Sequence, residues 1–268
     1  MLRAAAVIGV LLAIAGACTT HPDASPGADG PTRTRLAAAP PPALPPAPAS
    51  APASAPAPCP PAMVLVDGQY CTEPHQQCEA WMEPPTNILA RCARYAPATC
   101  VGDRVHERYC IDRDEYVAPG ESLPLGGASW TQARELCEQQ GKRLCLETEW
   151  ELACEGEQML PYPTGLERDG EACNYDRGNL VDPATGKLRD LREAASQLER
   201  CVSPFGVRAM AGNVDEWVWR DRTPGEWRSA LKGGWWMPAR DRCRPATTAH
   251  GESYRELQTG VRCCADAR

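Results

Sequence analysis

The chain has 268 residues, a formal net charge of −7, 15 cysteines, 27 prolines and 22 glycines. The charge is modest and spread out, without a basic patch, which argues against a nucleic-acid partner. Eight tryptophans stand against a single phenylalanine, a profile that argues against a layered helix-and-sheet enzyme. It favours a compact α+β domain dominated by loops.

The first 17 residues have the pattern of an export signal. Arg3 precedes an uncharged run from Ala4 to Ile14, which is shorter than the about 20 apolar residues that a transmembrane helix needs. The segment ends in Ala15-Gly16-Ala17-Cys18, which resembles the lipobox of bacterial lipoproteins. We therefore expect lipidation of Cys18 and an exported, membrane-anchored protein of the cell envelope, on its periplasmic face or outer membrane. The alternative is an ordinary signal followed by a chance cysteine.

Residues 18–58 are predicted to be a disordered tether. From Pro40 to Pro61 the chain is almost wholly Pro, Ala and Ser, so it cannot bury enough apolar surface to offset its conformational entropy. About forty such residues in polyproline II geometry would reach on the order of 100 Å. The tether would hold a single domain, residues 59–268, clear of a bilayer.

Short strands and turns are predicted at the start of this domain. The apolar run Ala62–Val66 predicts a strand that Asp67-Gly68 ends in a turn. The stretch between Cys71 and Cys110 is expected to be irregular, and residues 108–112 predict a second strand.

Two helices have local signatures. Ser129 and Gln132 form a capping box before a helix whose apolar face includes Leu136 and which ends at Gly141. Thr148 and Glu151 predict a second capping box, with Gly156 as the stop. The charged segment 180–200 predicts a loop with a short helix.

The cysteines indicate an oxidising compartment. Without Cys18, the remaining 14 can form seven bridges, no CxxC pair is present, and only four histidines could join them as zinc ligands. Local spacing favours Cys137–Cys145 across a short connection and Cys154–Cys173 across a proline turn.

Read in order, several motifs resemble the formylglycine-generating enzyme (sulfatase-modifying factor) family. The matching segments are 63–66, 110–115, 129–133, 141–144, 147–151, 162–165, 203–207, 210–217, 232–236 and 260–264. They cover nearly the whole domain in family order. The resemblance implies a fold related to C-type lectins, with little regular secondary structure and bound calcium. Residues that carry the family identity are interpreted as buried packing and ion-pair elements: Arg143, Glu149, Trp150, Trp217 and Arg244.

The copper centre of the family is expected to be incomplete. Family enzymes bind copper(I) through two cysteines after a Gly-Gly-Ser motif and oxidise a sulfatase cysteine to formylglycine. Here Trp235 replaces the serine, Pro238 replaces the first cysteine, and Cys243 is the remaining candidate. One thiolate cannot form the two-coordinate copper(I) site. Cys243 is better explained as a disulfide partner of Cys263 or Cys264.

Other site residues follow from the same resemblance. Asn213, Glu216 and Asn174 correspond to calcium ligands, although the first two could instead cap the turn before Trp217. Trp235 and Trp236 are either core residues or an exposed stacking surface for an unknown peptide, glycan or protein ligand. We therefore expect a non-catalytic binding or structural module. The alternative is a related oxidase that modifies a protein cysteine.

Overall fold

The structure is a computed structural model that describes residues 57–268. The predicted signal segment 1–17, Cys18 and nearly all of the predicted tether lie outside the described residues. None of the helices described for residues 57–268 has the length and apolarity to cross a bilayer. In chain order the strands and helices are β1 (Met63–Cys71), β2 (Pro74–His75), β3 (Cys78–Trp81), β4 (Cys92–Tyr95), β5 (Thr99–Cys100), β6 (Arg104–Asp112), α1 (Trp130–Gln139), β7 (Arg143–Leu144), α2 (Glu147–Glu155), β8 (Asp215–Trp219), β9 (Ser229–Lys232), β10 (Ala246–Thr247), β11 (Thr259–Gly260) and β12 (Cys263–Asp266).

The first sheet joins the two ends of the described chain. Its strands lie in the order β1-β6-β12-β7, and every neighbouring pair is antiparallel. Both strands predicted here are confirmed, but the predicted turn at Asp67-Gly68 is wrong. β1 continues through it, with Gly68 opposite Glu107, because pairing along nine residues outweighs a local turn preference.

The second sheet has the order β10-β9-β8-β11. Its central strand β8 is buried at four of five positions and pairs antiparallel with β9 and parallel with β11. The chain leaves β9 at Lys232 and enters a loop that returns through β10.

The segment between Cys71 and Cys110 is more regular than predicted. β2 pairs with β5, and within that loop β3 pairs with β4. Disulfides Cys71–Cys100 and Cys78–Cys92 close the two nested loops.

Both helices are present, but only one begins as predicted. Ser129 and Gln132 form the reciprocal capping box of α1. α2 begins at Glu147, and Glu149 caps it by accepting from the amide of Leu146. The predicted box at Thr148 is wrong, because the hydroxyl and amide of Thr148 both donate to Asp221. The short helix predicted within 180–200 is a single 3₁₀ turn, Ala195–Gln197.

Seven disulfides join the 14 cysteines of the described segment. All the pairings predicted from sequence are wrong. The predicted pairs are Cys137–Cys145, Cys154–Cys173 and Cys243–Cys263 or Cys243–Cys264. The structure instead contains Cys137–Cys263, Cys145–Cys264, Cys154–Cys243 and Cys173–Cys201. The reason lies in the tertiary structure. β12 pairs with β7, with Cys263 opposite Leu144, which brings both C-terminal cysteines to partners 126 and 119 residues earlier.

Candidate functional site

A glycine turn after β9 forms the frame of the candidate site. Gly233 and Gly234 have φ values of 90° and 77°, and residues other than glycine rarely adopt this backbone conformation. A Cβ on Gly234 would lie 1.9 Å from Oδ1 of Asp241. Glycine is therefore required here both by the backbone conformation and by the approach of a carboxylate.

A pocket of about 150 Å³ lies beside this turn. Its apolar walls include Leu89 from the β3–β4 loop and Leu231, Trp235 and Met237 from β9 and the following segment. Asp215, Asp241, Arg240 and Arg242 supply its charged lining. The pocket therefore combines apolar walls with two carboxylates and two guanidinium groups.

The two carboxylates have different surroundings. Asp241 forms an ion pair of 3.1 Å with Arg168, and both side chains are 3% exposed. Asp215 is 8% exposed and accepts one hydrogen bond, 3.2 Å, from the amide of Gly234 to Oδ1. Burial, reinforced by the Asp241 carboxylate, raises the pKa of Asp215 to about 8. Burial also raises the pKa of Asp241 to about 7, against the opposing effect of Arg168.

A buried ion-pair network lies behind the pocket. Three carboxylates of α2, spaced four residues apart, belong to Glu147, Glu151 and Glu155, and all are fully buried. Lys232 is also fully buried and lies 2.6 Å from Glu151. Arg244 pairs with both Glu151 and Glu155. The network fixes the end of β9, and therefore the glycine turn, against α2.

The predicted copper residues do not fit copper(I). Cys243 is fully buried in a disulfide with Cys154, and Pro238 lacks a ligand atom. Trp235 is half-buried and lines the pocket where the family has a serine. Because neither position supplies a thiolate, this pocket lacks the donors that copper(I) requires.

The predicted calcium ligands are also engaged by protein groups. Both carboxylate oxygens of Glu216 accept from Arg262, at 2.7 and 2.8 Å, and one also accepts from the indole of Trp150. Within residues 57–268, no three His, Cys, Asp or Glu side chains are grouped so that they could hold a metal ion.

The two asparagines lie together, but their oxygens are occupied as well. Asn213 Oδ1 accepts from Asn174 Nδ2 at 2.9 Å, and Asn174 Oδ1 accepts from Arg177 at 2.7 Å. Arg177 places a protein cation on the oxygen that a calcium ion would need. The residues present therefore do not fit calcium in this arrangement.

The two adjacent tryptophans have different roles. Trp236 is fully buried, so its prediction as part of an exposed stacking surface is wrong, and the core alternative applies to it. Trp235 contributes to the pocket wall and meets the Trp236 ring edge to face, with centroids 5.2 Å apart. Only Trp235 is available to a ligand.

Asp215 is not among the site residues predicted from the sequence. It begins β8, where it and Glu216 are two adjacent carboxylates at buried positions of the strand. Acidic residues are rarely buried unless they are paired, so two of them in a run with Val214, Trp217 and Val218 are a signal of paired or functional groups. The expected packing and ion-pair residues are confirmed in that role: Arg143 pairs with Glu149, Arg244 pairs with Glu155, and Trp150 and Trp217 are fully buried.

Comparisons with known proteins agree with this architecture. Residues 96–267 match the sulfatase-modifying factor enzyme 1-like domain, and the chain belongs to this family. The fold is accordingly the loop-rich α+β fold related to C-type lectins, here held by seven disulfides.

Two curated relatives are serine/threonine-protein kinases named pkn1. Those of Chlamydia caviae and Chlamydia pneumoniae are 32% and 31% identical to this chain over 103 residues. The alignment covers 38% of this chain but 14% of each kinase. This chain therefore corresponds to a small part of those relatives.

The chain is also similar to solved structures at low sequence identity. CarF is 13% identical, with a TM-score of 0.50, over 76% of this chain and 97% of CarF. PvdO from Pseudomonas aeruginosa is 15% identical, with a TM-score of 0.45, over 76% and 94% of the two chains.

Proposed function

We propose that this chain is an exported, lipid-anchored binding protein that uses a sulfatase-modifying-factor domain without the family's copper-dependent oxidation. The observation that carries the proposal is the disulfide between Cys154 and Cys243. It consumes the one thiol that corresponds to the copper pair, while the adjacent pocket stays open.

The position of the pocket supports a binding role. In the family, the segment after the Gly-Gly motif carries the reactive cysteines, and here that same segment lines the pocket. Leu89 also lines it, although this residue precedes the matched segment 96–267. A hairpin that precedes the matched segment thus contributes to the pocket wall, which is an arrangement suited to ligand selection.

The envelope location rests on two features. The lipobox-like sequence before Cys18 supplies the anchor, and the seven disulfides suit an oxidising compartment outside the cytosol. We expect incorporation of radiolabelled palmitate in a bacterial host, and expect Cys18→Ser to abolish labelling. Labelling that persists in this variant would contradict lipidation at Cys18.

The non-catalytic role is tested by counting thiols. The purified full chain is denatured without reductant and treated with a thiol reagent, and we expect none of the 14 domain cysteines to react. Copper(I) titration and oxygen uptake with a cysteine peptide complete the test. A reactive Cys243 with tight copper binding and oxygen-dependent turnover would instead establish the oxidase.

A further inference from the structure

The buried carboxylates of the described segment differ in how their charge is compensated. Nine acidic residues are buried, and they are Asp112, Glu115, Glu147, Glu149, Glu151, Glu155, Asp215, Glu216 and Asp241. All except Glu115 and Asp215 form ion pairs with Lys or Arg. Glu115 accepts hydrogen bonds from Asn213 and the amide of Val214.

Asp215 is the exception, since within residues 57–268 its side chain has a single hydrogen bond and no ion pair. Lys232 lowers the pKa of Asp215 through its charge, but Lys232 is bonded to Glu151 and to the carbonyl of Arg244. Arg240 and Arg242 line the same pocket, but within residues 57–268 the Asp215 carboxylate accepts only from the amide of Gly234, and Arg242 donates to Gln76 and lies over the ring of Tyr95. A buried carboxylate without a cationic partner is costly.

The pocket places this carboxylate where a ligand can reach it. Asp215 lines the cavity beside Asp241, whose charge is already matched by Arg168. Leu231, Trp235 and Met237 contribute apolar walls to the same cavity. An extended alkyl chain would replace water along these walls, and a cation at its end would lie against Asp215.

We propose that this pocket binds a primary alkylammonium group, with Asp215 as its counter-ion and Trp235 and Leu89 among the walls around the alkyl chain. This inference rests on the proposed binding function and specifies its ligand chemistry. Such a group is present both in a lysine side chain of a polypeptide and in a free aliphatic amine. Cations bound in low-dielectric pockets gain strength from a single well-placed carboxylate.

The test compares three probes on the full chain, purified without reductant. Isothermal titration is performed with N-acetyl-lysine amide, with n-butylammonium chloride, and with N-acetyl-norleucine amide as the neutral control. We expect saturable binding of the lysine probe and none of the norleucine probe. Binding of n-butylammonium as well would identify a free amine as a sufficient ligand, whereas its absence would point to lysine within a polypeptide.

Asp215→Asn is the decisive variant. It replaces the carboxyl group by an amide of the same shape, so we expect it to stay folded; because the amide cannot ionise against a bound cation, it should weaken binding of the lysine probe by at least about tenfold. Glu226→Gln, which changes an exposed carboxylate outside the pocket lining, should leave the affinity unchanged. Amide shifts of the wild-type chain should centre on Gly234 and Trp235, which tests the site even if the variant misfolds.

Several outcomes would overturn the inference. They are equal binding of the norleucine probe, unchanged affinity in Asp215→Asn, amide shifts away from Gly234, or no saturation with any lysine or amine probe. The thiol count tests the proposed function separately. If one of these outcomes is found while all cysteines are paired, the alkylammonium site is contradicted but the proposed non-catalytic binding function is not.

Discussion

Replacement of Glu216 by Gln tests whether this residue holds a protein cation or a metal. Arg262 is fully buried, and its guanidinium donates to both oxygens of Glu216. Removing one member of a buried pair costs about 3–5 kcal/mol, because the other charge is left without compensation. At about 2–4 °C per kcal/mol for a domain of this size, the midpoint of thermal unfolding should fall by roughly 6–20 °C.

The assay is circular dichroism melting of the full chain without reductant, with Asp266→Asn as the matched control. Asp266 also pairs with an arginine, Arg143, but its side chain is 90% exposed, so its loss should cost less than about 1 kcal/mol. Wild type should melt at the same temperature in calcium and in EDTA. The reasoning is refuted if calcium stabilises wild type but not Glu216→Gln, or if the two variants melt alike.

Three further perturbations have defined outcomes. Cys243→Ser should cost about 2–5 kcal/mol in urea unfolding and make Cys154 reactive to a thiol reagent; an unreactive Cys154 would contradict the observed pairing. Gly234→Ala should lower stability by more than about 1 kcal/mol, because its Cβ would clash with Asp241 and its φ is positive; a neutral effect would show that the turn can move. Because the pKa of Asp215 is about 8 when folded and 3.8 as the ordinary value, its protonated form favours the folded state. That contribution is complete below about pH 4 and is lost as the pH rises through about 8, by up to about 1.4 kcal/mol per pH unit. The melting temperature of Asp215→Asn should therefore depend less on pH than that of wild type between pH 5 and 9. Parallel pH profiles of the two proteins would contradict a raised pKa at Asp215.

Local sequence signals predicted only features that depend on nearby residues. The capping box of α1 and the end of α2 at Gly156 could be predicted, because each involves groups within a few positions. At the start of α2, either Thr148 or Glu149 could cap the helix. The observed cap uses Glu149, while Thr148 bonds to Asp221, 73 residues away. A contact at that distance has no local signature.

The sequence drew attention to the segment around Trp235 but not to the chemistry of the pocket. This segment follows the Gly-Gly motif that it shares with the family, and it lines the pocket in the structure. Whether Trp236 was core and which charge lacked a partner depended on the packing of β8 and β9 against α2. The spacing of four residues between Glu147, Glu151 and Glu155 places them on one helix face, but no local signal shows that this face is buried or that Lys232 pairs with it.

The adjacent cysteines of β12 have a consequence for how the domain matures. On the proposed export route, their partners Cys137 and Cys145 would reach an oxidising compartment more than a hundred residues ahead of them. Those two partners are only eight positions apart. Loop closure between those two is entropically cheap, so a chain that oxidises during export would readily form a bridge that the finished protein does not contain. Reaching the native set then requires thiol–disulfide exchange after the last strand arrives. Under the proposed export, maturation would therefore depend on a disulfide isomerase as well as on an oxidant, and a host without the isomerase should accumulate compact, mispaired protein.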